Sequence, residues 1–535
     1  MRVLPALNAL LALSLGALSC GPGATGGVCE APTSKPCPAG TGGLTDCFAT
    51  SGITDPPAKR WTVAGGSAIA DLNGDGLPEI FYFRTTDDAG RLYQNLGGFQ
   101  WKDITCTSGL PARLLAGAFG DLDNDGDADL VALRMVNGDG HGVVDVRFFE
   151  NDGHGHFRDD SVARGFDVKK PESLGQLATI HLTDLDLDGR LDVLAAPREH
   201  NFGEPALWLS GANATWNHLA SSPFPHSFGW THAVFPTDYN RDGLPDLMVL
   251  TDDGNSLDAP SRLYLRTAMP ALEWTEQPMD GVFGDHVKAS PMGAAAFDLD
   301  GDGALEYGLT DDGGATLMHL LWANLDRARE LGIQTSPLGN GERQTGWSPA
   351  FVDLDTDGVP ELFITTHATS MQPFDAFAVI WRWNGARFTD ASSLLPDANT
   401  HPEEGLSVGD LDGDGKVDLF TGGYGAPPRL LRNDLPGGNG LSVTLSGARR
   451  SADHGCNADG FGARVTVEAA GLKAQTREHY PGGTTYGWSE PRSRFGLGAA
   501  TSASRVRVDW RPCGGTLVQE LVDVPGGNFT VEEPR

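Results

Sequence analysis

A chain of 535 residues has room for a large hydrophobic core and for more than one domain. Its 39 basic and 71 acidic residues leave a net charge of −32, which argues against nucleic acid as a partner, because binding a phosphate backbone needs a basic footprint. With 71 glycines, 34 prolines and 12 tryptophans, and with apolar residues recurring along its whole length, the chain reads as a turn-rich β protein and not as a helical or disordered one.

The N-terminus is an export address. Arg2 supplies a positive charge, and Val3 to Leu18 is an uncharged Leu/Ala-rich stretch too short to span a membrane in the usual way. It ends Gly16-Ala17-Leu18-Ser19-Cys20, which resembles a bacterial lipobox. The resemblance implies that residues 1–19 are removed and Cys20 is lipidated, giving an envelope or outer-surface protein held to the membrane by a lipid anchor alone. An ordinary secretory signal with a nearby cysteine is the other reading, and either way the protein is exported. Residues 20–60 form a Cys/Gly/Pro-rich segment. Six further cysteines (Cys29, Cys37, Cys47, Cys106, Cys456 and Cys513) are an even set suited to disulfides, with fifteen possible pairings. Cys456 and Cys513 are expected to pair because they share the C-terminal segment.

From about residue 61 to 435 one nine-residue pattern, D-x-[DN]-x-D-G-x-x-[DE], occurs seven times at intervals of 50 to 63 residues, a spacing suited to four-stranded repeats. Position one is Asp71, Asp121, Asp184, Asp238, Asp298, Asp353 and Asp410. Position three is Asn73, Asp123, Asp186, Asn240, Asp300, Asp355 and Asp412. Position five is Asp75, Asp125, Asp188, Asp242, Asp302, Asp357 and Asp414. Position nine is Glu79, Asp129, Asp192, Asp246, Glu306, Glu361 and Asp418.

The chemistry of this pattern is that of a hard cation. Calcium takes about six to eight oxygens, and alternate carboxylates converge when the chain wraps round one point. Glycine stands at position six in all seven loops, where a tight wrap needs a positive φ. Position seven varies freely, as expected if it offers only its carbonyl. Acids fill 26 of the 28 positions at one, three, five and nine, so without a cation the loops would repel themselves. Hairpin turns alone would need one or two such residues, not four. An EF-hand needs glutamate at position twelve, and that position here is Tyr82, Ala132, Ala195, Val249, Leu309, Ile364 and Thr421. These residues lie in strand-like runs such as Ile80-Phe81-Tyr82-Phe83, so each loop joins two strands. Up to seven calcium ions are expected, structural before anything else.

These loops resemble the FG-GAP/VCBS repeats of integrin-type propellers. The spacers agree: Leu92-Tyr93-Gln94-Asn95, Phe148-Phe149-Glu150-Asn151 and Leu430-Leu431-Arg432-Asn433 resemble the aromatic/aliphatic-x-x-Asn element of such repeats. The resemblance implies an all-β, seven-bladed β-propeller followed by a small C-terminal β domain. The terminus that closes the ring is left open.

After a linker at Asp434 to Gly440, residues 436–535 alternate in strand fashion, as in Leu441-Ser442-Val443-Thr444-Leu445 and Val506-Arg507-Val508-Asp509-Trp510. Asn457 to Val465, Arg477-Glu478, Phe495 to Gly498 and Trp510 to Gly514 resemble the ASPIC/UnbV domain, with Arg511 interrupting the family's tryptophan-proline pair. A propeller followed by this domain resembles the cartilage acidic protein family, here in a bacterial, lipidated form.

Catalytic signals are weak. Gly405-Leu406-Ser407-Val408-Gly409 matches a nucleophile elbow formally, but it runs into an acidic loop and not into a helix. His141, His154 and His156 read as spacer-loop residues, and Trp347, Trp381, Trp383 and Trp488 as blade core before sugar platforms. The leading expectation is a calcium-stabilised, non-enzymatic surface binding or adhesion lipoprotein presenting propeller loops to a protein or polysaccharide. The alternative is a carbohydrate-active or other hydrolytic propeller, signalled by His, Arg and carboxylates gathered at the ring axis.

Overall fold

Each acidic loop separates two short runs rich in β-branched and aromatic residues, and in the computed structural model every such pair is an antiparallel hairpin. Gly65–Ala70 pairs with Glu79–Arg84, for example, with Ala68 opposite Phe81. The model describes residues 35–534 apart from 41, 54–64, 85–89, 112, 137–143, 168–176, 198–204, 225–230, 252–260, 269–270, 279–290, 312–315, 323–332, 335–343, 369–377, 397–401, 425, 449–454, 485 and 516. Cys20 and the signal segment lie outside the described residues.

The described residues are nearly all β. Two further strands complete each hairpin to a four-stranded antiparallel sheet, and there are seven such sheets, one per acidic loop. Six take their strands from one continuous stretch. The seventh combines Glu403–Gly409, Asp418–Gly423 and Arg429–Asn433 with the N-terminal Leu44–Asp46, so that Leu44 lies opposite Asn433. The last repeat therefore borrows its outer strand from the beginning of the chain.

Apolar side chains on both faces of these strands explain how the sheets stack. Leu194 and Leu207 of the third sheet share a core with Val234 and Leu247 of the fourth. Phe235 and Met248 continue it to Leu305 and Tyr307 of the fifth. Ile69, Ile80 and Tyr82 of the first sheet meet Leu411, Phe420 and Leu430 of the seventh. Burial on both faces is what a sheet covered on each side by its neighbours requires.

The C-terminal part has two small sheets. Asn439–Ser446 lies between Ser493–Gly498 and Gly527–Glu532, antiparallel to the first and parallel to the second. The other sheet orders Gln475–Glu478, Arg464–Glu468, Ser502–Asp509 and Val518–Pro525. Alternation puts Val465 and Val467 inward, with Val443 and Trp510, around the expected Cys456–Cys513 disulfide. A second disulfide joins Cys37 to Cys47, and Cys106 is disulfide-bonded as well.

A loop of this C-terminal part enters among the sheets. Gly487–Trp488 adds a short parallel strand to the inner edge of the first sheet, with Ser67 opposite Gly487. Trp488 is 2% exposed, and its indole N–H donates to the Phe119 carbonyl at 2.9 Å. Tyr480 lies edge-on to both Trp488 and Phe235 of the fourth sheet. A side chain at Gly487 would come within 1.9 Å of the Leu406 carbonyl, so glycine is needed where the loop passes the seventh sheet. Sheets on several sides thus close on this loop, which stoppers the space between their inner strands.

Candidate metal centres and the axial cluster

The seven acidic loops are built alike. The position-six glycines all have left-handed backbones, with φ from +84° to +110°. Position four is left-handed too. Gly74, Asn124, Gly301 and Gly413 suit that conformation, whereas Leu187, Arg241 and Thr356 adopt it at a cost of about 1 kcal/mol or more. The consensus did not reveal this second turn, because side chains of every kind occupy the position.

Three hydrogen bonds recur in every loop. The position-six N–H donates to the position-one carboxylate at 2.8–3.2 Å. The position-seven N–H donates to the position-five carboxylate at 2.7–3.1 Å. The position-two N–H donates to the position-nine carboxylate at 2.6–3.3 Å. In five loops the second oxygen of position nine also accepts an N–H of the third strand, as from Asn151 to Asp129 and from Asn433 to Asp418, both within 2.9 Å. Position nine is fully buried and latches the loop to its own sheet.

The remaining oxygens point to a cation. Oδ1 of Asp123, Asp186, Asp238, Asp355 and Asp410 is buried without a hydrogen-bond partner among the described residues. Carboxylate oxygens of Asp121, Asp123 and Asp125 lie within 4.8 Å of one another, as do those of Asp298, Asp300 and Asp302, and of Asp353, Asp355 and Asp357. In two loops the clusters include position nine: Asp184, Asp186 and Asp192, and Asp410, Asp412 and Asp418. Burial, reinforced by the neighbouring acids, pushes Glu79, Asp246 and Glu306 up to about 8 and Asp353 up to about 7. A bound divalent cation would remove that penalty by favouring the ionised forms.

The loops differ in their neighbours. Asn73 and Asn240 spend their amides on Glu79 and Asp242, at 3.1 and 2.9 Å. Arginines reach into three others: Arg164 to Asp123, Arg190 to Asp188, and Arg382 to Asp355 and Glu361. Three spacer asparagines join their own repeats to the loop before. The Asn151 amide donates to the Leu72 carbonyl at 2.9 Å, Asn433 to Leu354 at 2.8 Å, and Asn95 to Leu411 of the last loop at 2.9 Å.

The C-terminal domain sits on this acidic end. Its carboxylates accept the N–H of position one in three loops: Asp121 to Asp459 at 2.8 Å, Asp238 to Glu478 at 2.9 Å and Asp410 to Glu490 at 3.0 Å. Arg477 stacks between Phe297 and Phe495, with Asp353 as its charge partner. The adjacent Arg477 and Glu478 point to opposite faces of their strand and so reach different sheets. No motif announced these contacts, although both residues had been singled out by family resemblance.

A second cluster lies at the other end of the inner strands. His232 and Glu404 are second residues of Thr231–Thr237 and Glu403–Gly409, and Trp347 is near the start of Gln344–Val352. His367 is near the end of Glu361–Ala368, and Tyr424 follows Asp418–Gly423. The His367 ring stacks between Trp347 at 4.8 Å and Tyr424 at 4.5 Å, and its Nε2 lies 3.1 Å from Glu404. His232 meets the Trp347 edge at 5.3 Å. Trp347, expected as blade core, is only partly buried. Trp383 does lie in the core against Phe388. Ser407 is a buried structural serine, donating to the Ser67 carbonyl at 2.9 Å and accepting from Ser67 Oγ at 2.8 Å and from the Trp488 N–H at 3.2 Å. His154 and His156 lie on an exposed turn, and His141 falls outside the described residues.

Comparison with known proteins agrees with the repeats. Residues 71–132 and 184–249 match the FG-GAP-like repeat, and residues 453–534 match the ASPIC and UnbV domain. No curated protein matches the chain. Similar solved structures include a lectin of Agrocybe aegerita specific for non-reducing terminal N-acetylglucosamine (16% identity, 62% of this chain and 79% of that one, TM-score 0.38). The rhamnogalacturonan lyase YesW is another (13% identity, 72% and 74%, TM-score 0.38), as is the Bacillus licheniformis rhamnogalacturonan lyase PL11 (12%, 70% and 72%, TM-score 0.37). The chain is thus a protein of FG-GAP-like repeats that ends in an ASPIC/UnbV domain.

Proposed function

We propose that the protein is a calcium-stabilised binding protein of the bacterial cell surface, not an enzyme. Its seven sheets form a closed seven-bladed propeller, sealed by the N-terminal strand. The shared core of the first and last sheets and the bond from Asn95 to Leu411 support closure. Lipidated Cys20 is the anchor in this reading, and the disulfides fit an oxidising, extracellular setting.

The observation that carries the metal assignment is the set of orphaned, converging carboxylate oxygens in loops whose other oxygens are already taken by backbone N–H groups. An all-oxygen donor set of this kind suits calcium. Positions one, three and five would hold the ion, joined by position nine where Asp192 and Asp418 approach. Each ion would offset two of the three or four acidic charges of the pattern in its loop and, in the loops capped by Asp459, Glu478 and Glu490, steady the C-terminal domain. With the acidic end covered by that domain, a protein or polysaccharide ligand is left the loops at the opposite end.

Calcium titration of the exported chain by calorimetry, with melting in calcium and in chelator, tests this. Up to seven ions per chain and a loss of at least about 10 °C in melting temperature on chelation are expected. No heat and no shift would remove the metal reading. The alternative, a hydrolytic propeller working at the axis, is favoured by one observation, the contact of His367 with Glu404. Release of reducing ends from a polysaccharide panel, lost in His367→Ala, would establish it.

A further inference from the structure

We propose that the end of the propeller axis opposite the acidic loops is a saccharide-binding site, formed by Trp347, His367, Tyr424, Glu404 and His232, which takes a neutral or amine-bearing sugar ring. The proposal rests on the closed-ring binding-protein reading above and names the ligand class for that ring.

Position is the first argument. His232 belongs to the fourth sheet, Trp347 and His367 to the sixth, and Glu404 and Tyr424 to the seventh. Side chains of the fourth and sixth sheets meet only by crossing the inner end of the fifth, and the Trp347 carbonyl indeed accepts from Thr310 of that sheet at 2.9 Å. Trp347 also packs on the core cluster that contains Tyr486 and Trp488 of the stopper loop. The cluster thus lies beside the core that holds the stopper loop.

The second argument is unspent hydrogen-bonding capacity. Glu404 has a side chain only 2% exposed, one oxygen engaged by His367, and an Oε2 with no hydrogen-bond partner among the described residues. The Trp347 indole N–H is buried and unpartnered in the same sense. Native proteins rarely leave such groups orphaned without water or a ligand to meet them. A carboxylate acceptor and an indole donor beside stacked aromatic rings match a sugar, which offers hydroxyls on its rim and C–H groups on its faces. The Glu404 carboxylate repels another carboxylate, so an acidic sugar is disfavoured.

The test is calorimetry and tryptophan fluorescence on the calcium-loaded exported chain, with disaccharides of glucose, galactose and mannose, with glucosamine, and with galacturonate. Binding of a neutral or amine-bearing sugar is expected, with galacturonate excluded. Glu404→Gln should weaken it about tenfold and Trp347→Phe, which keeps a ring but loses the N–H, by a few fold. Melting temperatures of both variants separate lost binding from lost folding. The proposal is overturned if the calcium-loaded protein binds no sugar, binds only galacturonate, captures peptides instead, or if both variants bind as the wild type does. Absence of calcium binding would instead strike the reading on which it rests.

Discussion

The two ends of the stacked sheets are made by opposite means. At the acidic end, three or four carboxylates of the pattern fall within nine consecutive residues, and the same three hydrogen bonds recur seven times. At the other end, His232, Trp347, His367, Glu404 and Tyr424 come from three sheets and nearly 200 residues of chain, without any repeat. A repeated, local site serves a task common to every blade, which is to hold a loop and its hairpin together. A cluster assembled once, across several sheets, suits a task that no single repeat could perform. On the proposed reading, stability and recognition occupy separate ends, divided by the stopper loop.

Removing the stopper should break the separation most severely. Trp488→Ala is expected to cost about 3–5 kcal/mol, since a buried indole and its bond to Phe119 are lost together. Urea unfolding with native-state proteolysis of the C-terminal domain would show it; a cost below about 1 kcal/mol would mean the loop merely lies in the ring. Smaller effects are expected at the domain contacts. Asp459→Ala strands the Asp121 N–H, and Glu490→Ala strands that of Asp410, for about 1–3 kcal/mol each. If the caps are coupled to calcium, both variants will also lose calcium affinity, whereas sugar binding at the far end will stay as it was.

The effect sharpest in sign is that of pH. Burial holds Glu79, Asp246 and Glu306 at about 8, so the folded chain keeps protons that the unfolded chain has released. Between the ordinary carboxylate range and pH 8 the chelated protein should therefore lose stability as pH rises. Calcium needs the ionised carboxylates, so the loaded protein should show the reverse trend from pH 5 to 8. Melting curves in both states across that range will separate the two. Parallel curves would mean that these acids are not linked to the metal.

What the amino-acid order determined by itself is local and periodic. Loop spacing, position-six glycines, flanking strands and the alternation of Val465 and Val467 are set by contacts within a few residues, so they leave a readable pattern. The Cys456–Cys513 pairing was legible because both cysteines stand in one segment. Only the tertiary structure decided that Leu44–Asp46 completes the last sheet, that Trp488 packs among the inner strands, that Asp459, Glu478 and Glu490 reach the acidic loops, and that Trp347 stacks on His367. Each of these joins residues far apart in the chain and occurs once. A single long-range contact is chosen by packing and by the need to satisfy buried polar groups, and neither imposes a period on the sequence.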